Sequence, residues 1–345
     1  MNILIVRLGA LGDVVHAIPA AAALRTAYPQ ARIDWLVEAK HQPMLELVTA
    51  IDRIVPIEAK TAGGWIDAVR RVRQVPYDIA LDFQGLMKSA VLARASGAPR
   101  VAGFSIWHLR EKGARPFYSE TDSGEMHGEA GDADRGIQAE HVIAKNLRLL
   151  RVLDIETTRV EFPLAHVASP ALAEVKRAFG SDRFALINPG AAWPNKRWPP
   201  ARFAEVAAFL REVRGLRSVV LWGPGEEILA QSIADASGGA ARMAPATQMS
   251  DLVELGRAAD LIVSGDTGPL HIAAAVGTPA VAIYGPTDPG RNGPWAADDV
   301  MVSRFEACDC HYERRCKRQD WCLETITVAE VTAAIQQRLA DGRRP

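Results

Sequence analysis

Long apolar runs are missing: no window of the chain reaches the ~20 uncharged apolar residues of a membrane-spanning helix. A surplus of one charge is missing too, with 40 Lys plus Arg against 41 Asp plus Glu. The near-zero balance gives no global drive toward nucleic acid, which is excluded as a partner, and any phosphate or membrane contact must come from a local patch. Cysteine is absent before residue 308, so no disulfide framework runs through the fold. Gly9-x-x-Gly12 lacks the G-x-G-x-x-G fingerprint, and no GK[ST] follows a glycine-rich turn, so dehydrogenase and P-loop readings lose support. The apolar start "MNILIVRLGALGDVV" is broken by Arg7 and Asp13, unlike a signal peptide. The protein is therefore expected in the cytoplasm, at most peripheral on the cytoplasmic face of the inner membrane.

What is present suits a soluble globular chain: 48% hydrophobic and 23% charged residues over a length of 345. That length fits two domains of roughly 150 residues. Short apolar runs ending in Gly, Pro or Asp alternate with helical patterns, which is the grammar of a doubly wound parallel sheet. In the first half they lie at 2–6, 31–38, 53–57, 77–83 and 98–104, and in the second at 184–190, 217–225, 259–268 and 279–289. Residues 119–137 are polar, Gly-rich and mostly acidic, and are expected to form a mobile loop; a helix is expected over 138–153 and a linker within 161–170. The assigned domains are 1–163 and 171–326, followed by a terminal helix in 327–345.

In open α/β sheets, ligands gather at the carboxyl ends of strands. "SGDTGPLHIAAA" places Asp266, Thr267, Gly268 and His271 where strand hands over to helix. Free N–H groups and the helix dipole there favour an anion, and Asp266 suits sugar hydroxyls. The alternative is a simple helix cap with His271 packed beneath it. "NPGAAWPNKRWPP" brings Lys196 to a second turn, with Pro199 expected at N1 of the next helix; Lys196 and Arg197 could also be solvated charges over a packed Trp198. In "WGPGEE", Glu226 or Glu227 could receive ribose hydroxyls, or merely complement the helix dipole. Asp13 has the same two readings, dipole partner or general base. Asp132-x-Asp134 mimics a metal-diphosphate motif, but it lacks a preceding strand and is discounted. Cys308, Cys310, Cys316 and Cys322 form C-x-C-x5-C-x5-C, which leaves a structural metal clip, free thiols and a local disulfide all open.

Together, "ILIVRLGALGDVVHAIPA", "LDFQGLMKSA", "NPGAAWPNKRWP" and "SGDTGPLHIAAAVGTPAVAIYGPTDP" resemble the ADP-heptose:lipopolysaccharide heptosyltransferase family, in its heptosyltransferase I branch. The resemblance implies a GT-B glycosyltransferase fold, two Rossmann-like domains facing across a cleft. The first would bind the acceptor and the second the nucleotide sugar, with the last helix packing back on the first. It implies inverting transfer of heptose from ADP-heptose to the Kdo-lipid A inner core, with no cofactor or catalytic metal. By motif, Asp13 would be the base; Lys196, Thr267 and Gly268 would hold the diphosphate. Asp266 and His271 would lie against heptose or phosphate, Met249 near adenine, and Glu226 or Glu227 at the ribose. Lys88 and Arg110 would meet acidic groups of the acceptor. Ala191 and Ala192 replace two threonines of the branch pattern, and the "NKRWP" block and the cysteines lean toward heptosyltransferase II. Transfer to a core heptose or a protein therefore stays open, as do a GT-B epimerase or hydrolase and a non-catalytic nucleotide-sugar sensor.

Overall fold

The computed structural model describes residues 1–58, 61–122, 140–316, 318 and 321–340. The chain divides into two compact units, Met1–Ala165 and His166–Pro345. In the first, β1 (Asn2–Val6), β2 (Arg32–Glu38), β3 (Arg53–Ile57), β4 (Ile79–Asp82), β5 (Arg100–Gly103) and β6 (Glu120–Thr121) form one sheet. Its order is β3-β2-β1-β4-β5-β6, and every pairing is parallel. Helices cover both faces of such a sheet, so its central strands read as unbroken apolar runs; Ile3, Leu4, Ile5 and Val6 are fully buried.

The second unit repeats the plan with β7 (Phe184–Asn188), β8 (Arg217–Val220), β9 (Ala241–Met243), β10 (Leu261–Gly265), β11 (Ala280–Tyr284) and β12 (Val300–Ser303). The order β12-β11-β10-β7-β8-β9 is the first sheet's order over again. In each sheet the winding reverses at the first strand and its fourth-strand neighbour: β1 beside β4, and β7 beside β10. Loops leaving the carboxyl ends of those pairs diverge and leave a crevice, the usual ligand position in this class. Each unit is thus the doubly wound parallel sheet expected from the sequence.

Two expectations need correction. The 119–137 segment opens with strand β6 rather than loop, because Glu120 and Thr121 pair with Ala102 and Gly103; residues 123–139, including Asp132 and Asp134, lie outside the described residues. Pro199 is the N-cap of helix Pro200–Arg214, and Pro200 holds N1. The last helix, Val328–Ala340, belongs to the second unit, where Val331, Ala334 and Ile335 join the core of β7, β10 and β11. Arg338 of this helix is buried on Asp299 at 2.9 Å. Among the described residues, no helix is long and apolar enough to cross a membrane.

Candidate active site

The crevice of the second unit centres on Asp266, just past the end of β10. Lys196, from the 3-10 turn Pro194–Lys196 after β7, forms an ion pair with Asp266 Oδ2. Thr287 Oγ1 donates to that oxygen at 2.7 Å; Asn292 Nδ2 donates to Oδ1 at 2.9 Å, and His271 Nε2 lies 3.1 Å from it. Burial alone would raise the Asp266 pKa. The His271 hydrogen bond and the Lys196 charge outweigh burial and hold the carboxyl well below its usual range. With both oxygens engaged, Asp266 anchors a cation and an imidazole; a direct bond to a sugar hydroxyl would require one of these partners to yield. The Lys196 ammonium also lies 4.5 Å from the centre of the Trp193 ring, which fixes its other side.

The capping alternative fails for this turn. Thr267 is the N-cap of helix Gly268–Ala275, but its hydroxyl makes no capping bond; it accepts from Asn188 Nδ2 at 2.8 Å. The first-turn N–H groups are therefore not covered by the cap side chain, and Lys196 stands beside them through Asp266. That combination of helix N-terminus and ammonium suits a diphosphate.

Glu226 folds over the neighbouring turn. Its Oε2 accepts from the Gly223 N–H at 3.0 Å, and Oε1 lies 3.6 Å from Arg197 Nη2. A Cβ on Gly190 would stand 2.1 Å from Glu226 Oε2, so only glycine permits this approach. Glu227 is exposed in the first turn of its helix, so the two glutamates that the sequence left equivalent are separated. Met249 is half-buried at the start of helix Met249–Ala258. Trp198 is buried as foreseen, its Nε1 donating to the Ile326 carbonyl at 3.0 Å.

In the first unit, Asp13 occupies the third position of helix Leu11–Val15. It accepts from the Ala10 N–H at 3.2 Å and pairs with buried Arg7 at 2.8 Å, while a quarter of its side chain stays exposed. Capping and exposure thus coexist. Arg7 also donates to the Phe83 carbonyl, and Gln84 Oε1 accepts from the Leu8 N–H at 2.9 Å, so the turn after β1 is tied to the end of β4. His41 packs on Gly9, where a Cβ would stand 2.7 Å from its Nε2. Burial, then the nearby Lys40, pushes His41 down to about 4, so it is neutral at physiological pH. Lys88 and Lys40 both pair with Glu38, at 3.2 and 2.7 Å. Burial opposes ionisation of Glu38, but the two lysine hydrogen bonds prevail and lower its pKa. Arg110 is exposed. The four cysteines carry no disulfide, and among the described residues no group of three or more His, Cys, Asp or Glu is arranged to hold a metal ion.

The family model "Glycosyltransferase family 9 (heptosyltransferase)" matches residues 65–322, most of the chain. The chain belongs to this family. It is 26% identical over 332 residues to lipopolysaccharide heptosyltransferase 1 of Pseudomonas aeruginosa, with 92% of this chain and 88% of that protein covered. Its fold is similar to that of the E. coli heptosyltransferase WaaC solved with ADP, with a TM-score of 0.75 at 22% identity, covering 99% of this chain and 98% of that one. E. coli ADP-heptose lps heptosyltransferase II gives 0.74 at 22% identity, with 99% of each chain covered.

This family 9 glycosyltransferase thus brings Lys196, Asp266, Thr267 and His271 together as the sequence suggested. Sequence reasoning missed Thr287 and Asn292, which complete the ring of donors on Asp266, and Asn188, which turns Thr267 away from capping. "GPTDP" marked the Thr287 turn without assigning it a partner. In the first unit it missed Arg7, Glu38, His41 and Gln84, all at carboxyl ends of strands or in the turns that follow.

Proposed function

We propose that this glycosyltransferase transfers heptose, with inversion, from ADP-L-glycero-D-manno-heptose to the Kdo-lipid A inner core of lipopolysaccharide. The observation that carries the reading is the Asp266 knot, which fixes Lys196 and His271 beside the uncapped N-terminus of helix Gly268–Ala275. Lys196 and the first-turn N–H groups take the diphosphate and stabilise ADP as it departs. His271 faces the sugar side of the same turn. Glu226 takes the ribose, and Met249 lies against the base. Asp13, held by Arg7 yet partly exposed, accepts the proton from the acceptor hydroxyl as the anomeric carbon gains oxocarbenium character. Lys88 and Arg110 meet acidic groups of the acceptor. The proposal needs no metal or other cofactor, because Lys196 and the helix supply the positive charge.

The first unit is assigned the acceptor and the second the donor. A lipid-linked acceptor implies work in the cytoplasm at the inner-membrane face. A second reading, transfer to a core heptose, is favoured by the "NPGAAWPNKRWP" block and the four cysteines, which are closer to the heptosyltransferase II pattern. The test incubates the enzyme and ADP-heptose with Kdo-lipid A, its monoheptosylated form, or a protein acceptor, and reads product mass. The proposal predicts gain of one heptose on Kdo-lipid A, slowed by about 10²-fold or more in Asp13→Ala. Gain on the monoheptosylated acceptor alone supports the second reading, and gain on the protein alone contradicts both.

A further inference from the structure

Four thiols lie outside the proposed reaction, on the segment between β12 and the last helix. Cys308 and Cys310 are buried, and Cys316 and Cys322 are half-buried. Cys310 Sγ lies 3.0 Å from Cys316 Sγ, and Cys322 Sγ lies 3.6 Å from Cys308 Sγ. A tetrahedral tetrathiolate with metal–sulfur bonds of ~2.3 Å would hold every sulfur pair at about 3.8 Å. The 3.0 Å contact is far shorter, and suits thiols arranged in pairs.

The same segment grips the loops of the Asp266 site. Its Tyr312 N–H donates to the Pro286 carbonyl at 2.8 Å, next to Thr287. Its Glu313 carbonyl accepts from Asn195 Nδ2 at 3.0 Å, next to Lys196, and Trp321 Nε1 donates to the Arg197 carbonyl at 3.3 Å. Cys322 Sγ packs on Gly285, 2.9 Å from where a Cβ would stand. The cysteine segment thus touches residues on both sides of Lys196 and the turn that precedes Thr287.

We propose that Cys308, Cys310, Cys316 and Cys322 form a dithiol clip, which closes into disulfides Cys310–Cys316 and Cys308–Cys322 by exchange with a small disulfide such as glutathione disulfide, and so displaces the Lys196 and Thr287 turns. The Cys316 thiolate, the more exposed of its pair, attacks one sulfur of the oxidant; the oxidant's S–S bond breaks and one glutathione leaves. The Cys310 thiolate then attacks Cys316 Sγ, the mixed disulfide breaks, and the second glutathione leaves. Two protein thiols are oxidised, one small disulfide is reduced to two thiols, and the two protons end on the released glutathiones. Cys322 and Cys308 react in the same way. Closure to a bond of ~2.05 Å draws the two sulfur pairs together by roughly 1 and 1.5 Å. Burial, then the Cys308 thiol, pushes Cys322 up to about 12, which disfavours its thiolate.

The pairing is independent of the proposed function; its effect on the donor turn rests on that reading. The full-length protein, reduced and freed of reductant, is incubated with glutathione disulfide while thiols, intact mass and ADP affinity are followed. The expected result is loss of all four thiols, with no retained glutathione. Cleavage at Asp309 separates Cys308 from Cys310, so the cross-links can be assigned. Cys316→Ser should stop at one disulfide, Cys308–Cys322. ADP affinity should fall on oxidation and return with dithiothreitol. Persistent thiols across the oxidant series, any other pairing, or thiols that react only after a chelator removes bound metal would each overturn the clip. Disulfides formed as assigned with unchanged ADP affinity would overturn its coupling to the donor turn. A reduced protein that binds no ADP would refute the donor reading, while the cross-links still decide the pairing.

Discussion

Replacing Asp266 by Asn keeps the side-chain shape and removes the charge that holds Lys196. The side chains of Asp266 and Lys196 are only 5% and 14% exposed, so solvent screens little of the loss. Stripping one partner from a buried ion pair costs about 3–5 kcal/mol, and the retained amide hydrogen bonds argue for the lower end, about 3 kcal/mol. For a unit the size of His166–Pro345 this corresponds to a Tm lower by roughly 6–12 °C. The pH dependence carries its own sign. The folded-state pKa of Asp266 is depressed, so its contribution is complete above the unfolded carboxylate value of about 3.9 and is lost as pH falls through the folded value. Urea unfolding followed by tryptophan emission should therefore show D266N less stable than wild type at pH 5, with the gap narrowing below about pH 4. Equal stability of the two proteins at neutral pH, or a gap that widens in acid, would refute the reasoning.

Asp13→Ala should lower kcat by about 10²–10⁴-fold while ADP affinity stays within error in calorimetry; unchanged turnover would remove the base from Asp13. Lys196→Met should weaken ADP binding and cut turnover by about 10²-fold or more, which ADP titration and initial rates would read together. Gly190→Ala drives a Cβ to 2.1 Å from Glu226 Oε2 and should raise the ADP dissociation constant, with kcat at saturating donor less affected. Gly9→Ala meets the His41 ring at 2.7 Å and should do the opposite, lowering turnover while ADP still binds.

The strands bearing these sites were legible because burial on both faces writes them as continuous apolar runs, as in "NILIV" and "LIVSG". The edge strands were not. β6 has two residues and β9 three, neither is fully buried, and so neither leaves a hydrophobic signature. Asp13, Lys196, Asp266 and His271 were legible because each stands at the handover from strand to helix. Their partners were not: Thr287 and Asn292 lie 21 and 26 residues beyond Asp266, and hydroxyls and amides follow no spacing rule that would announce a shared acceptor. Arg7 looked like a charge interrupting an apolar run, and its service to Asp13 and the Phe83 carbonyl became visible only with β4 beside β1.

The most direct measurement of the central claim is ADP release from ADP-heptose with and without Kdo-lipid A. The account predicts release that depends on the acceptor, is stoichiometric with heptose gained by the lipid, and falls by about 10²-fold or more in Asp13→Ala. Release at the same rate without acceptor would make the protein a hydrolase and contradict the account; so would binding of ADP-heptose with no release on Kdo-lipid A.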